Sequence, residues 1–161
     1  MRWRVRFGRS SFSVFLTAGV ILALSGCGTI GTLFGKGDVL GVEAGDCFDE
    51  GAMRTTLVTE EGTGVETVDC SDPHDFEVFH VEELPKGAFP GEVEVGEASR
   101  RVCEGERFEA FVGAEYLESE IYSWALAPSA TDWDESGHRE IVCYLSAPGE
   151  SVSGSLEGAG R

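Results

Sequence analysis

The stretch VETVDCSDPHDFEVFHV, residues 65–81, reads as two short extended runs, 65–70 and 76–81, divided by Ser71-Asp-Pro-His74. Proline and aspartate favour a turn there, and the flanking Val, Phe and Thr favour strands. In the second run, alternation puts Phe76, Val78 and His80 on one face and Glu77, Phe79 and Val81 on the other. Both faces carry aromatic rings, so this strand is expected near the centre of a sheet.

Working outward, residues 42–48 and 55–59 read as two more short strands around a Gly-containing turn. Downstream, Pro85 and Pro90-Gly91 punctuate the chain before VEVGEASRRVCEGERFEAF, residues 93–111, where Val95, Ala98, Val102 and Phe108 recur at helical spacing. Glu97 and Arg101 form an i,i+4 pair on the same segment, and the helix is expected to turn Cys103 towards the sheet. Residues 121–127 and 139–146 read as the last strands, joined by a polar connection over 128–138. The expected fold is a small α+β domain over residues 42–146, an antiparallel sheet of five or six strands with one main helix. Residues 147–161, rich in Gly and Ser, read as a loose tail. No internal repeat is evident.

The N-terminus reads as an address. Residues 1–26 carry four Arg and no acid, while the rest of the 161-residue chain carries a net charge of −21. A basic start (MRWRVRFGR) leads into an apolar run over 12–24, shorter than the roughly 20 residues that span a bilayer core. The run ends in Leu24-Ser25-Gly26-Cys27, which is similar to the bacterial lipoprotein signal. That similarity implies a leader over 1–26 removed by cleavage, a diacylglyceryl group on the Cys27 sulfur, and a Gly-rich tether over 27–41. The protein is then expected to be exported and held on the outer face of the cell membrane by its lipid. Gly26-Cys-Gly28-Thr-Ile-Gly31 matches a dinucleotide fingerprint in letters, but no strand precedes it and no βαβ unit surrounds it.

With Cys27 set aside, Cys47, Cys70, Cys103 and Cys143 remain, and an even number in an exported chain implies two disulfides. Four cysteines allow three pairings. Cys47 with Cys70 and Cys103 with Cys143 is favoured, because each bond then links consecutive expected elements. A four-thiolate zinc site fits poorly, since no two of these cysteines stand in a CxxC spacing.

Gly45-Asp-Cys-Phe48, Val68-Asp-Cys70 with Pro73-His74 and Glu77-Val78, Phe89-Pro-Gly91, Cys103, and Pro128 with Trp133, Gly137, Arg139 and Cys143 occur in an order that resembles the septum-formation domain of actinobacterial cell-envelope lipoproteins. The resemblance spans residues 41–146. It implies a role at the envelope in division, no enzymatic activity and no cofactor, a partner that is an envelope or division protein, and a turn at Cys70–His74 held by its disulfide with the imidazole capping backbone groups.

Other chemistries fit less well. Acidity argues against nucleic acid, whose phosphates need clustered Lys and Arg. The sequence contains no Asn and no Gln, which removes N-glycosylation sequons and any Cys-His-Asn protease. No G-x-S-x-G, H-E-x-x-H or P-loop occurs. His74, Glu77 and His80 are the residues an envelope hydrolase or a metal site would draw on, but alternation places Glu77 opposite His80 unless a bulge intervenes. Asp132-Trp-Asp-Glu-Ser-Gly137 imitates half of a calcium loop, yet its twelfth position is Cys143 where a bidentate Glu is needed. Trp133 is a partner contact if exposed, and Arg139 is expected to pair with a carboxylate. A cation- or ligand-binding lipoprotein using the acidic surface is the remaining alternative.

Overall fold

The computed structural model describes residues 41–58, 64–149 and 151–161. The leader, Cys27 and most of the tether lie outside them. Five strands form one antiparallel sheet in the order β2-β1-β3-β5-β4. They are β1 (Cys47–Phe48), β2 (Thr67–Val68), β3 (Phe76–Glu83), β4 (Tyr122–Leu126) and β5 (Glu140–Ser146). As the rings on both its faces suggested, β3 is central. Among the described residues no helix is long and apolar enough to cross a membrane.

The helical segment is present but divided, into α2 (Glu92–Cys103) and α3 (Glu106–Val112), following a first helix α1 (Glu50–Val58). Val95, Ala98, Ser99 and Cys103 form the buried stripe of α2, while Glu92 and Glu94 at its start and Arg100 and Arg101 at its end complement the helix dipole. The break falls at Gly105. A Cβ there would lie 2.5 Å from the Arg101 carbonyl oxygen, so only glycine lets the chain redirect at that point. Residues 55–59 were expected as a strand, and the described part of that segment is helical instead. Asp75 accepts a hydrogen bond from the Glu50 amide at the start of α1, and Ala52 and Met53 pack against the core, so tertiary contact overrides the β-branched Thr-Thr pair. The strand expected over 42–48 shrinks to its last two residues, because Glu43 to Asp46 closes as a turn on the Asp46 carboxylate.

Two apolar clusters cover the two sheet faces. The larger packs α2 and α3 on Phe79, Ile141, Cys143 and Leu145, with Phe108 and Val112 fully buried. The smaller gathers Phe48, Val78 and Val142 with Val42, Val65 and α1. Burying each large side chain is worth about 1.5–3 kcal/mol. A β-bulge breaks the β3–β5 register between Val78 and His80, so Phe79 is the extra residue. It reverses the expected alternation: His80 now stands opposite Cys143, on the face of the larger cluster, and Val81 opposite Val142 on the other.

The tail is ordered, contrary to its composition. Val152 pairs with His74 as an antiparallel bridge, Gly154 donates to the Cys70 carbonyl, Gly158 and Gly160 donate to Phe111 and Val112, and Leu156 is buried in the larger cluster. A buried leucine and a run of backbone hydrogen bonds outweigh the entropy that Gly and Ser carry.

Candidate functional site

Both disulfides form as expected, Cys47–Cys70 and Cys103–Cys143. The first anchors a polar cluster. Asp69 starts the turn by accepting the Ser71 amide at 2.9 Å, and its carboxyl is held below the usual range chiefly by that backbone hydrogen bond and then by the Ser71 hydroxyl. His74 follows, fully buried, with Nδ1 donating to the Asp72 carbonyl at 2.9 Å. The imidazole thus caps backbone, as the family resemblance implied, and its Nε2 is buried with no partner among the described residues.

Glu77 lies opposite Cys47 in the β1–β3 ladder and is 2% exposed. Its carboxylate and both sulfurs lie within 4.8 Å of one another. The two sulfurs are joined to each other, which removes them as thiolate ligands. The carboxylate is occupied as well: Oε1 accepts the Ser155 hydroxyl and Oε2 the Leu156 amide, each at 2.6 Å. Glu77 is therefore the clamp of the tail. His80 pairs with Glu82 at 3.0 Å, so His74, Glu77 and His80 each have their own partners and share none.

The second set of expected residues lies in the β4–β5 connection. Trp133 is buried rather than exposed, within a single helical turn over Asp132–Ser136 of π type closed by Gly137 at φ 74°. Its indole N–H donates to the Gly87 carbonyl, its ring meets Phe89 edge-on, and the Arg139 guanidinium stacks over it at 4.0 Å. Arg139 also donates to the Trp133 and His138 carbonyls. Burial removes Trp133 as a partner contact, and among the described residues Arg139 is held by a ring and two carbonyls and not by a carboxylate. Asp132 caps the turn by accepting the Ser129 hydroxyl and amide at 2.7 and 2.9 Å, which hold its carboxyl below the usual range, the hydroxyl most.

The exposed large apolar side chains lie elsewhere. Val93 and Leu117 stand in solvent, and Tyr122 and Trp124 project about half-exposed from β4, two residues apart and so on one face. The strand itself was legible in IYSWALA; that its rings stay uncovered depends on its place at the end of the strand order, which local sequence does not encode.

The family described as septum formation matches residues 44–159, most of the chain, including the tail, and the chain belongs to that family. No curated protein and no solved structure matches it.

Proposed function

We propose that this member of the septum-formation family is a lipid-anchored extracytoplasmic domain that acts in division through protein contacts and carries out no reaction of its own. The observation that carries the reading is the employment of the candidate polar residues. Glu77 holds the tail, His74 caps a turn, Trp133 fills the core beneath Arg139, and His80 pairs with Glu82. Such groups are spent on shape, which suits a domain that presents a surface. Two disulfides fit an oxidising compartment, and the Leu-Ser-Gly-Cys sequence before the domain supplies the anchor at Cys27. The cell-envelope protein that it meets is the partner sought, with the membrane reached through lipid.

The test is a chromosomal Cys27→Ala substitution beside a full deletion, read by fractionation and by fluorescence imaging of septa. Loss of membrane retention in Cys27→Ala and misplaced or delayed septa in the deletion are expected. Unchanged fractionation overturns the anchor, and normal septa overturn the division role.

A further inference from the structure

β4 is an edge strand without the devices that normally guard an edge. Tyr122–Leu126 contains no charge, no proline and no lysine, and its ladder with β5 runs without a register shift. Among the described residues no strand pairs with its outer side. Tyr122 and Trp124 are 51% and 49% exposed beside that edge, and Ala125 is exposed as well. The Trp124 indole is fixed by a hydrogen bond to the Ser146 hydroxyl at 2.9 Å, so its ring is presented in one orientation.

Acids outnumber bases around the head of this strand. Glu115, Glu118 and Glu120 lie in the segment leading into β4, with Arg161 at 4.0 Å from Glu120. A groove of about 500 Å³ at the same end is lined by Glu104, Glu106, Glu109 and Glu115 against Arg100 and Arg101, with Tyr116 and Leu117 on its wall. The Ser123 hydroxyl in β4 donates to the Cys103 carbonyl at 2.7 Å, which sets the groove residue Glu104 beside the strand. Resting on the reading of this domain as a protein-contact module, we propose that β4 receives an extended, basic segment of a partner protein as a sixth strand. Backbone groups complete the ladder, arginine or lysine side chains lie over Tyr122 and Trp124, and the glutamates draw the segment in. Beyond residue 26 the chain carries a net charge of −21, so two copies repel one another, which argues against self-pairing.

The experiment titrates the full chain in detergent with a labelled Arg-Val-Arg-Val-Arg-Val peptide, read by fluorescence anisotropy. Three comparisons accompany it: the Glu-Val counterpart, the basic peptide methylated on every backbone nitrogen, and the Tyr122→Ala/Trp124→Ala double variant. Binding of the basic peptide is expected to weaken on the order of ten-fold in the double variant, to fall with added salt, and to vanish for the methylated peptide. Both side chains are half in solvent, so an unchanged melting temperature certifies that the variant is folded. Equal binding of the acidic or the methylated peptide overturns the proposal, as does full affinity in the double variant. Concentration-dependent dimerisation abolished by the same double variant also overturns it, by assigning the edge to a second copy. None of these outcomes bears on septum placement in the deletion strain, so the strand proposal and the division role fail separately.

Discussion

Cys103–Cys143 and Cys47–Cys70 cross-link the same sheet in different surroundings. The first lies inside the larger apolar cluster, where it ties α2 to β5 with both sulfurs buried. The second lies among polar groups, beside the Glu77 carboxylate, the capped His74 turn and the returning tail, with Cys70 partly exposed. At the apolar bond, stability is spread over many interchangeable contacts. At the polar bond it depends on a few hydrogen bonds whose partners are far apart in sequence, such as Glu77 with Leu156. The first region should therefore yield gradually and the second in discrete steps.

Removing each disulfide tests this most strongly. The bonds close separations of 40 and 23 residues, for which loop entropy alone gives about 4 and 3.5 kcal/mol. Those values are too close to separate the sites, so the surroundings decide. The Cys103→Ala/Cys143→Ala variant also loses packing in a filled core and is expected to be the less stable in urea denaturation. The Cys47→Ala/Cys70→Ala variant is expected to lose hydrogen-exchange protection first at residues 151–161, since Gly154 donates to the Cys70 carbonyl. A lower midpoint for the second variant than for the first breaks the comparison.

Tail capture is the next test. Leu156→Ala removes a buried side chain from the apolar cluster and is expected to cost about 2–4 kcal/mol. Glu77→Ala leaves the buried Leu156 amide without its acceptor and is expected to cost about 1–3 kcal/mol. Both should release the tail to limited proteolysis after Ser146. A tail that stays resistant in Glu77→Ala would show that its hydrophobic contact suffices alone and that the polar region is less discrete than described.

A smaller effect is expected in the β4–β5 connection. Arg139→Ala removes the guanidinium stacked on Trp133 and two hydrogen bonds to carbonyls, an expected loss of about 1–2 kcal/mol with a shift in indole emission. Arg139→Lys keeps the charge but not the planar stack, and recovery of full stability by lysine would show that charge alone was needed.

How much of this was legible follows the same division. Periodicity exposed β3, β4, β5 and the helical segment, though not α1, which was read in part as a strand, because apolar burial leaves a repeating mark: Val95, Ala98 and Cys103 fall on one stripe of α2. Cysteine parity exposed the disulfides, and the separation of expected elements favoured the pairing that forms. The tail left no such mark. Val152 and Leu156 are isolated among Gly, Ser and Glu, and their partners, the His74 backbone and the Glu77 carboxylate, lie far earlier in the chain. The bulge at Phe79 was equally silent, because a register shift changes which residues share a face without altering the alternation that is read. Trp133 falls in the connection expected over 128–138, but nothing nearby showed that Phe89 and Gly87 would bury it.

Acid separates the two regions most finely. Asp69, in the turn beside Cys47–Cys70, and Asp132, in the turn that buries Trp133, are both held below the usual carboxylate range by serine donors. A carboxyl whose value is lowered on folding contributes stability that is fully present above its unfolded value of about 3.9 and is lost as pH falls through the folded value. Both turns should therefore loosen as pH falls below about 4, with a loss of protection, relative to the unfolded chain at the same pH, at the Ser71 and Ser129 amides. Among the described residues no carboxylate hydrogen-bonds to the buried stripe of α2, where Ser99 bonds to the Val95 carbonyl and Glu92 and Glu94 act only on the first turn, so the amides of 95–103 should keep their protection over the same range. Asp69→Asn and Asp132→Asn retain an acceptor without the charge, and each should flatten the pH dependence of its own turn alone. Simultaneous loss of protection in α2 and the turns would mean that acid unfolds the domain as one unit, and the contrast between the two disulfide regions would not extend to their electrostatics.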